Sequence, residues 1–280
     1  MKNDSKKNRI LIKVLILAFV LSLSLSSCRI SQTPEKEIEE PTPSNSSLKI
    51  LLIGSSYFNY NNLEELLNNF FADQNKDVYI QAAIQNGLYL SDHVTRNDTL
   101  TKINEEKWDY VILQGVGVLM AYPDIITHHP VYPALVTLRD KILANHISTK
   151  IVFCLPWAFE DGMAWQAGWT DLYPEMQQKI YDNTLKYAEE IGLIIAPVGW
   201  AWRQVLIDKD YPLHYLHMSD WNHPSLKGSY LMACVIYSTV FQERTTGIEY
   251  YADIPEDEAS YFQEIGSDIV LDNLELWNII

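Results

Sequence analysis

The stretch ILLIGSSYFNYNN, residues 50–62, decides how the rest of the chain is read. Residues 50–54 form an apolar run of strand length with no polar face, and it passes straight into Ser55 and Ser56. A strand that is apolar on both sides belongs in a sheet covered on both faces, as parallel sheets with crossover helices are. The residues that follow supply the first such helix. Leu63, Leu66, Leu67, Phe70 and Phe71 recur at the i, i+3, i+4, i+7, i+8 spacing of an amphipathic helix, with Asn62 as cap and Glu65 as its return contact.

The same alternation continues outward. Strands are expected at 49–53, 78–83, 110–114, 150–155 and 193–198, and helices over 131–145, 171–191, 199–208, 225–241 and 256–271. The pattern is α/β: a three-layer, doubly wound, mostly parallel five-stranded sheet, in which ligands bind beyond the carboxyl ends of the strands.

With 280 residues, 48% hydrophobic and 20% charged, the chain has ordinary globular composition, which excludes disordered and collagen-like classes. A formal net charge of −15 argues against nucleic acid and anionic lipid as ligands, since phosphate binding needs clustered Lys and Arg. The beginning differs in kind. Lys2, Lys6, Lys7 and Arg9 precede an apolar stretch, 14–25, too short to span a bilayer, which is the pattern of a secretion signal. Its end, Leu25-Ser26-Ser27-Cys28, resembles a bacterial lipobox. That resemblance implies a signal peptide at 1–27, a diacylated Cys28 that tethers the protein to a membrane, and a place in the cell envelope. Arg29 stands where an Asp would favour inner-membrane retention, so the outer membrane is expected. Residues 28–47, with three prolines and a glutamate cluster, read as a disordered tether, leaving 48–280 as the folded domain. Cys154 and Cys234 sit in apolar runs and read as buried thiols, with a disulfide left open.

Gly54, Ser55 and Ser56 fall at the carboxyl end of the first strand, where backbone N–H groups and a helix dipole favour a developing oxyanion. Alone, such a tripeptide is an ordinary cap or turn. Asp220 and His223, three residues apart before a long apolar helix, supply what a serine needs: a carboxylate that fixes the tautomer of an imidazole whose other nitrogen faces a hydroxyl. Alone, they too read as a turn cap and a loop histidine before Pro224.

As an ordered set these residues resemble the SGNH (GDSL-like) hydrolases. The family's first block corresponds to Gly54-Ser55-Ser56, and its last, Asp-x-x-His-Pro, to Asp220-Trp221-Asn222-His223-Pro224. The resemblance implies a flavodoxin-like fold and a serine esterase in which Ser56 is nucleophile, His223 base and Asp220 its orienting carboxylate. It further implies an oxyanion hole from Ser56 N–H, Gly87 in QNGLYLSDH and, because the family's Gly-x-Asn-Asp block is replaced by WDYVILQGVG, the side chain of Gln114. The Gly-x-Ser-x-Gly elbow of α/β-hydrolases is absent.

Aromatic residues gather in the loops after the fourth and fifth strands, and Trp157, Trp165 and Trp221 are candidate platforms for sugar rings, which loop packing explains equally. The pairs His128/His129 and His214/His217 have no completing cysteine or carboxylate, so no metal is assigned, and no cofactor. Glu160 and Asp161 read as a solvated loop rather than a glycosidase pair, and Asn97, in an Asn-x-Thr sequon, as a turn. The expectation is a lipid-anchored envelope esterase removing acetyl or other short acyl groups from carbohydrate. Its rival is a glycan-binding surface lipoprotein with a degenerate site.

Overall fold

A computed structural model describes residues 47–166 and 168–280, without the side chains of Thr127 and His129. The signal peptide, Cys28 and the tether up to residue 46 lie outside the described residues.

The chain runs β1 (Leu48–Gly54), α1 (Ser56–Asn59), α2 (Leu63–Asp73), β2 (Val78–Ile84), α3 (Leu90–His93), α4 (Asn97–Glu105), β3 (Tyr110–Gln114) and α5 (Gly117–Ala121). It continues through α6 (Asp124–Asn145), β4 (Lys150–Cys154), α7 (Tyr173–Ile191), β5 (Ile194–Ala196), α8 (Val198–Asp208), α9 (Leu226–Phe241) and α10 (Glu256–Leu271). The five strands form one parallel sheet in the order β2-β1-β3-β4-β5, with Ile50 beside both Ile80 and Tyr110, Tyr110 beside Lys150, and Val152 beside Ile194. The five expected strands are therefore present, in a three-layer α/β arrangement.

Residues 50–53 are wholly buried, as their two-sided apolar pattern requires. At about 1.5–3 kcal/mol per buried large aliphatic side chain, this strand alone anchors the centre of the sheet. Helices α2, α9 and α10 pack together over one face, and α4, α5, α6 and α7 over the other. The strand order reverses between β1 and β3, because the chain leaves β1 toward β2 and returns to β1's opposite side. That reversal opens a crevice at the carboxyl ends of β1 and β3, where Ser55 and Gln114 emerge.

The cap of α2 forms with one difference. Asn62 Oδ1 accepts from Glu65 N–H at 3.4 Å, and the return contact runs from Asn62 Nδ2, not its backbone, to Glu65 Oε2 at 2.9 Å. Helix α6 begins at Asp124, not residue 131, and carries Pro130 and Pro133 inside it. Each proline forfeits a backbone hydrogen bond; Asp124, bonded to Lys186 and Tyr187 at 2.8 Å each, and the buried Val131, Ala134, Leu135 and Leu138 hold the helix across them. Asn97 opens α4 rather than making a turn. Cys154 and Cys234 are both buried free thiols.

Candidate active site

The turn that carries the serines is clamped from both sides. Ser55 N–H donates to Gln114 Oε1 at 2.7 Å, and the Ser55 hydroxyl lies 3.2 Å from the same oxygen. On the carbonyl side, His93 Nε2 donates to Gly54 O at 3.1 Å while Nδ1 accepts from Thr99 Oγ1 at 2.7 Å. Burial lowers the His93 pKa, so the ring is neutral and holds this single tautomer. His93 carried no sequence signal as a site residue, since only the fold brings α3 against the end of β1.

Ser56 opens α1, where the first N–H groups of a helix have no intrahelical acceptor. His223 Nε2 lies 2.9 Å from Ser56 Oγ, and His223 Nδ1 lies 2.6 Å from Asp220 Oδ2. Asp220 Oδ1 also accepts the N–H groups of Asn222 and His223, at 3.1 and 2.9 Å. Partial burial raises the Asp220 pKa, but the bonds from the His223 ring and the two backbone N–H groups outweigh it and hold the carboxyl below the usual range. One aspartate thus caps the turn and bonds the imidazole.

The turn that carries His223 is tied to the serine segment by Asn61, whose Nδ2 donates to Pro224 O and lies 3.0 Å from Ser229 Oγ as well. Asn61 can reach both because it sits in the left-handed region, at φ 58°. Tyr60 stacks on the His223 ring at 4.3 Å and 24°, and Tyr57 meets it edge-on at 5.9 Å. Four groups thereby fix the ring: Asp220, Ser56, Tyr57 and Tyr60.

Ser56, Tyr60, Gly87, Val116, Asn222 and His223 line an open cleft of about 340 Å³. Gly87, at φ 80°, adopts a conformation that side-chain-bearing residues avoid, and among the described residues its N–H meets no acceptor. Gln114 departs from its expected role. Its oxygen is committed to Ser55 N–H, a donor, which turns Nε2 away toward Gly115 O at 2.5 Å, and the buried side chain does not line the cleft. It braces the serine turn instead of reaching an oxyanion.

The tryptophans divide. Trp157 is buried, sandwiched between Tyr57 at 4.4 Å and Trp202 at 4.3 Å, so it is no sugar platform. Trp165 and Trp221 are 57% and 40% exposed, and Trp221 N–H and O lie within the catalytic loop, its carbonyl accepting Glu160 N–H at 2.9 Å. Glu160 is not solvated: its nearly buried carboxylate accepts both the N–H and the Nδ1–H of His214, the latter at 2.6 Å. His217 is fully buried, donates from Nε2 to Ala158 O at 2.9 Å and is held by desolvation at a pKa of about 4. Being neutral, it makes no ion pair with Glu160 at 3.9 Å. No group of three or more metal-ligating side chains exists among the described residues.

No protein-family model and no curated protein matches the sequence. Solved structures do match in three dimensions. A DUF4886 family protein from Bacteroides uniformis superposes with a TM-score of 0.61 at 21% identity, over 80% of this chain and 95% of that one. A candidate SGNH hydrolase from Slackia heliotrinireducens gives 0.57 at 21%, over 69% and 99%. An acetyl-xylooligosaccharide esterase from Geobacillus gives 0.50 at 17%, over 72% and 98%. With its parallel five-stranded sheet in the order β2-β1-β3-β4-β5 and its serine at the end of β1, the chain has the fold of the SGNH hydrolases.

Proposed function

We propose that the protein is a serine esterase that removes acetyl or other short acyl groups from carbohydrate. The observation that carries the reading is the continuous relay Ser56 Oγ, His223 Nε2, His223 Nδ1, Asp220 Oδ2, with both contacts below 3 Å at the mouth of an open cleft.

The chemistry follows from those atoms. Ser56 Oγ attacks the ester carbonyl carbon as its proton passes to His223 Nε2, and Asp220 stabilises the imidazolium it cannot itself neutralise. The tetrahedral oxyanion meets Ser56 N–H and Gly87 N–H. As the carbon–oxygen bond breaks, His223 returns the proton to the departing alkoxide, releasing an alcohol and leaving the acyl group on Ser56. Water then gives a proton to His223 and attacks the acyl carbon. The second intermediate collapses as His223 returns that proton to Ser56 Oγ, releasing the carboxylic acid, which ionises in solvent.

Support for carbohydrate as the alcohol comes from the exposed Trp221, between Asp220 and His223, and from the polar Ser56, Asn86, Asn222 and His223 that line the cleft. Membrane attachment through Cys28 and residence in a bacterial envelope belong to the same reading, on the strength of the lipobox-like Leu25–Cys28 sequence.

Turnover of p-nitrophenyl acetate by the purified protein tests the reaction class. Ser56→Ala should lose at least 10³-fold in kcat and all labelling by a fluorophosphonate, with Ser55→Ala far less affected. A wild type that neither turns over nor labels would leave the glycan-binding rival standing.

A further inference from the structure

Asn222 lies between the orienting aspartate and the base, and three of its four polar groups are committed. Its N–H donates to Asp220 Oδ1, its carbonyl accepts Trp157 Nε1–H at 2.9 Å, and its side chain meets the Tyr57 hydroxyl. The last contact fixes which way the amide faces. The tyrosine hydroxyl is the donor in that contact, and the atom receiving its hydrogen is Asn222 Oδ1. Nδ2 therefore points the other way. Among the described residues it has no acceptor, and Asn222 lines the cleft beside Ser56 and His223.

The support behind this amide is rigid. Tyr57, Trp157 and Trp202 form a stack of three buried rings. Gly117 is required for it, since a Cβ there would meet Trp157 O at 2.2 Å. A buried stack that fixes one amide oxygen and leaves an NH₂ group facing the cleft is a preorganised donor. Asn222 lines the same cleft as Ser56 and His223, whose Nε2 hands its proton to the departing alcohol.

We infer that Asn222 Nδ2 donates to a substrate oxygen next to the scissile ester, a vicinal hydroxyl or ring oxygen, and so selects esters of polyols over esters whose alcohol is bare hydrocarbon or aryl. The inference rests on the esterase reading and narrows its substrate class. A hydrocarbon placed there leaves the amide donors unpaired, which is how a site built around a hydrogen bond rejects an analogue that lacks the partner.

The test compares kcat/KM for a mono-O-acetylated glucose with free neighbouring hydroxyls against p-nitrophenyl acetate, which has no oxygen beside the ester. The full-length wild type, Asn222→Ala, Asn222→Leu and Tyr57→Phe are measured together. The ratio of the two values should fall about tenfold in both Asn222 variants and severalfold in Tyr57→Phe, which keeps the stacked ring but frees the amide to turn. Tyr57→Phe carries the test if an Asn222 variant fails to fold. A ratio within twofold of wild type, equal losses on both substrates, or a wild type that turns over only the aryl ester overturns the inference while leaving the esterase standing. A wild type inert on both substrates and unlabelled by fluorophosphonate overturns the esterase reading, and this inference with it.

Discussion

Replacing Gln114 separates two roles that a single buried amide could play. Gln114→Met keeps the length and volume of the side chain but removes the oxygen that Ser55 N–H donates to at 2.7 Å, in a turn where Ser55 is only 4% exposed. An orphaned buried N–H costs about 1–3 kcal/mol, and the Ser55 hydroxyl can rotate to another partner, so the loss should be about 2 kcal/mol. In a domain of this size that lowers Tm by about 4–8 °C, within the margin of a typical fold. Gln114→Glu, protonated in its buried site, keeps an acceptor for Ser55 and a hydroxyl donor for Gly115 O while deleting the amide NH₂. If Gln114 is a brace, Gln114→Glu should stay within about tenfold of wild-type kcat, whereas Gln114→Met falls further because the serine turn is no longer held. Urea unfolding and p-nitrophenyl acetate turnover, measured on the same samples, read both quantities. If Gln114→Glu kept native stability yet lost 10²–10³ in kcat, the loss expected for a deleted oxyanion donor, the brace would be refuted and the amide would belong to the oxyanion hole.

Two further perturbations test other parts of the site. His217 is neutral in the fold, with a pKa of about 4 against an unfolded value of 6.5, so the unfolded chain binds the extra proton and stability declines as pH falls from 6.5 to 4. The decline from this residue amounts to about 3 kcal/mol; His217→Gln, which keeps a donor for Ala158 O, should flatten that part of the Tm-versus-pH curve, and an unchanged slope would show that other groups set it. Trp221→Ala removes an aromatic face that is 40% exposed at the catalytic loop, and should raise KM for an acetylated oligosaccharide about fivefold, the order of one aromatic contact. An unmoved KM would take Trp221 out of the substrate site.

What could be read from the sequence follows the physical range of each signal. Strands apolar on both faces, such as residues 50–53 and 111–113, announce themselves because burial on two sides leaves no other reading, and the sheet follows from them. The same is true of α2, whose cap and apolar stripe lie within a dozen residues of one another. The start of α6 was hidden because Pro130 and Pro133 are local breakers, whereas the bonds from Asp124 to Lys186 and Tyr187 that outweigh them come from another helix. His93 stayed invisible for a like reason: its partner, Gly54 O, is distant in the chain and belongs to the backbone, which has no residue identity to read.

The site residues sort along the same line. Asp220 and His223 were legible because their interaction closes within one turn. The spacing of three that lets Asp220 cap the turn is the spacing that lets it bond the ring, so one local constraint makes both contacts. The direction of Gln114 and Trp157 is not legible in the sequence, for the opposite reason. A glutamine at a strand end and a tryptophan in a loop show their chemistry in sequence but not their direction, and both turn inward: Gln114 to Ser55, and Trp157 to Tyr57 and Trp202. Tyr57 and Trp157 both bond Asn222, which lines the cleft. Trp157, whose sequence context admitted a sugar surface, thus packs on Tyr57 behind the site, where the two bond Asn222.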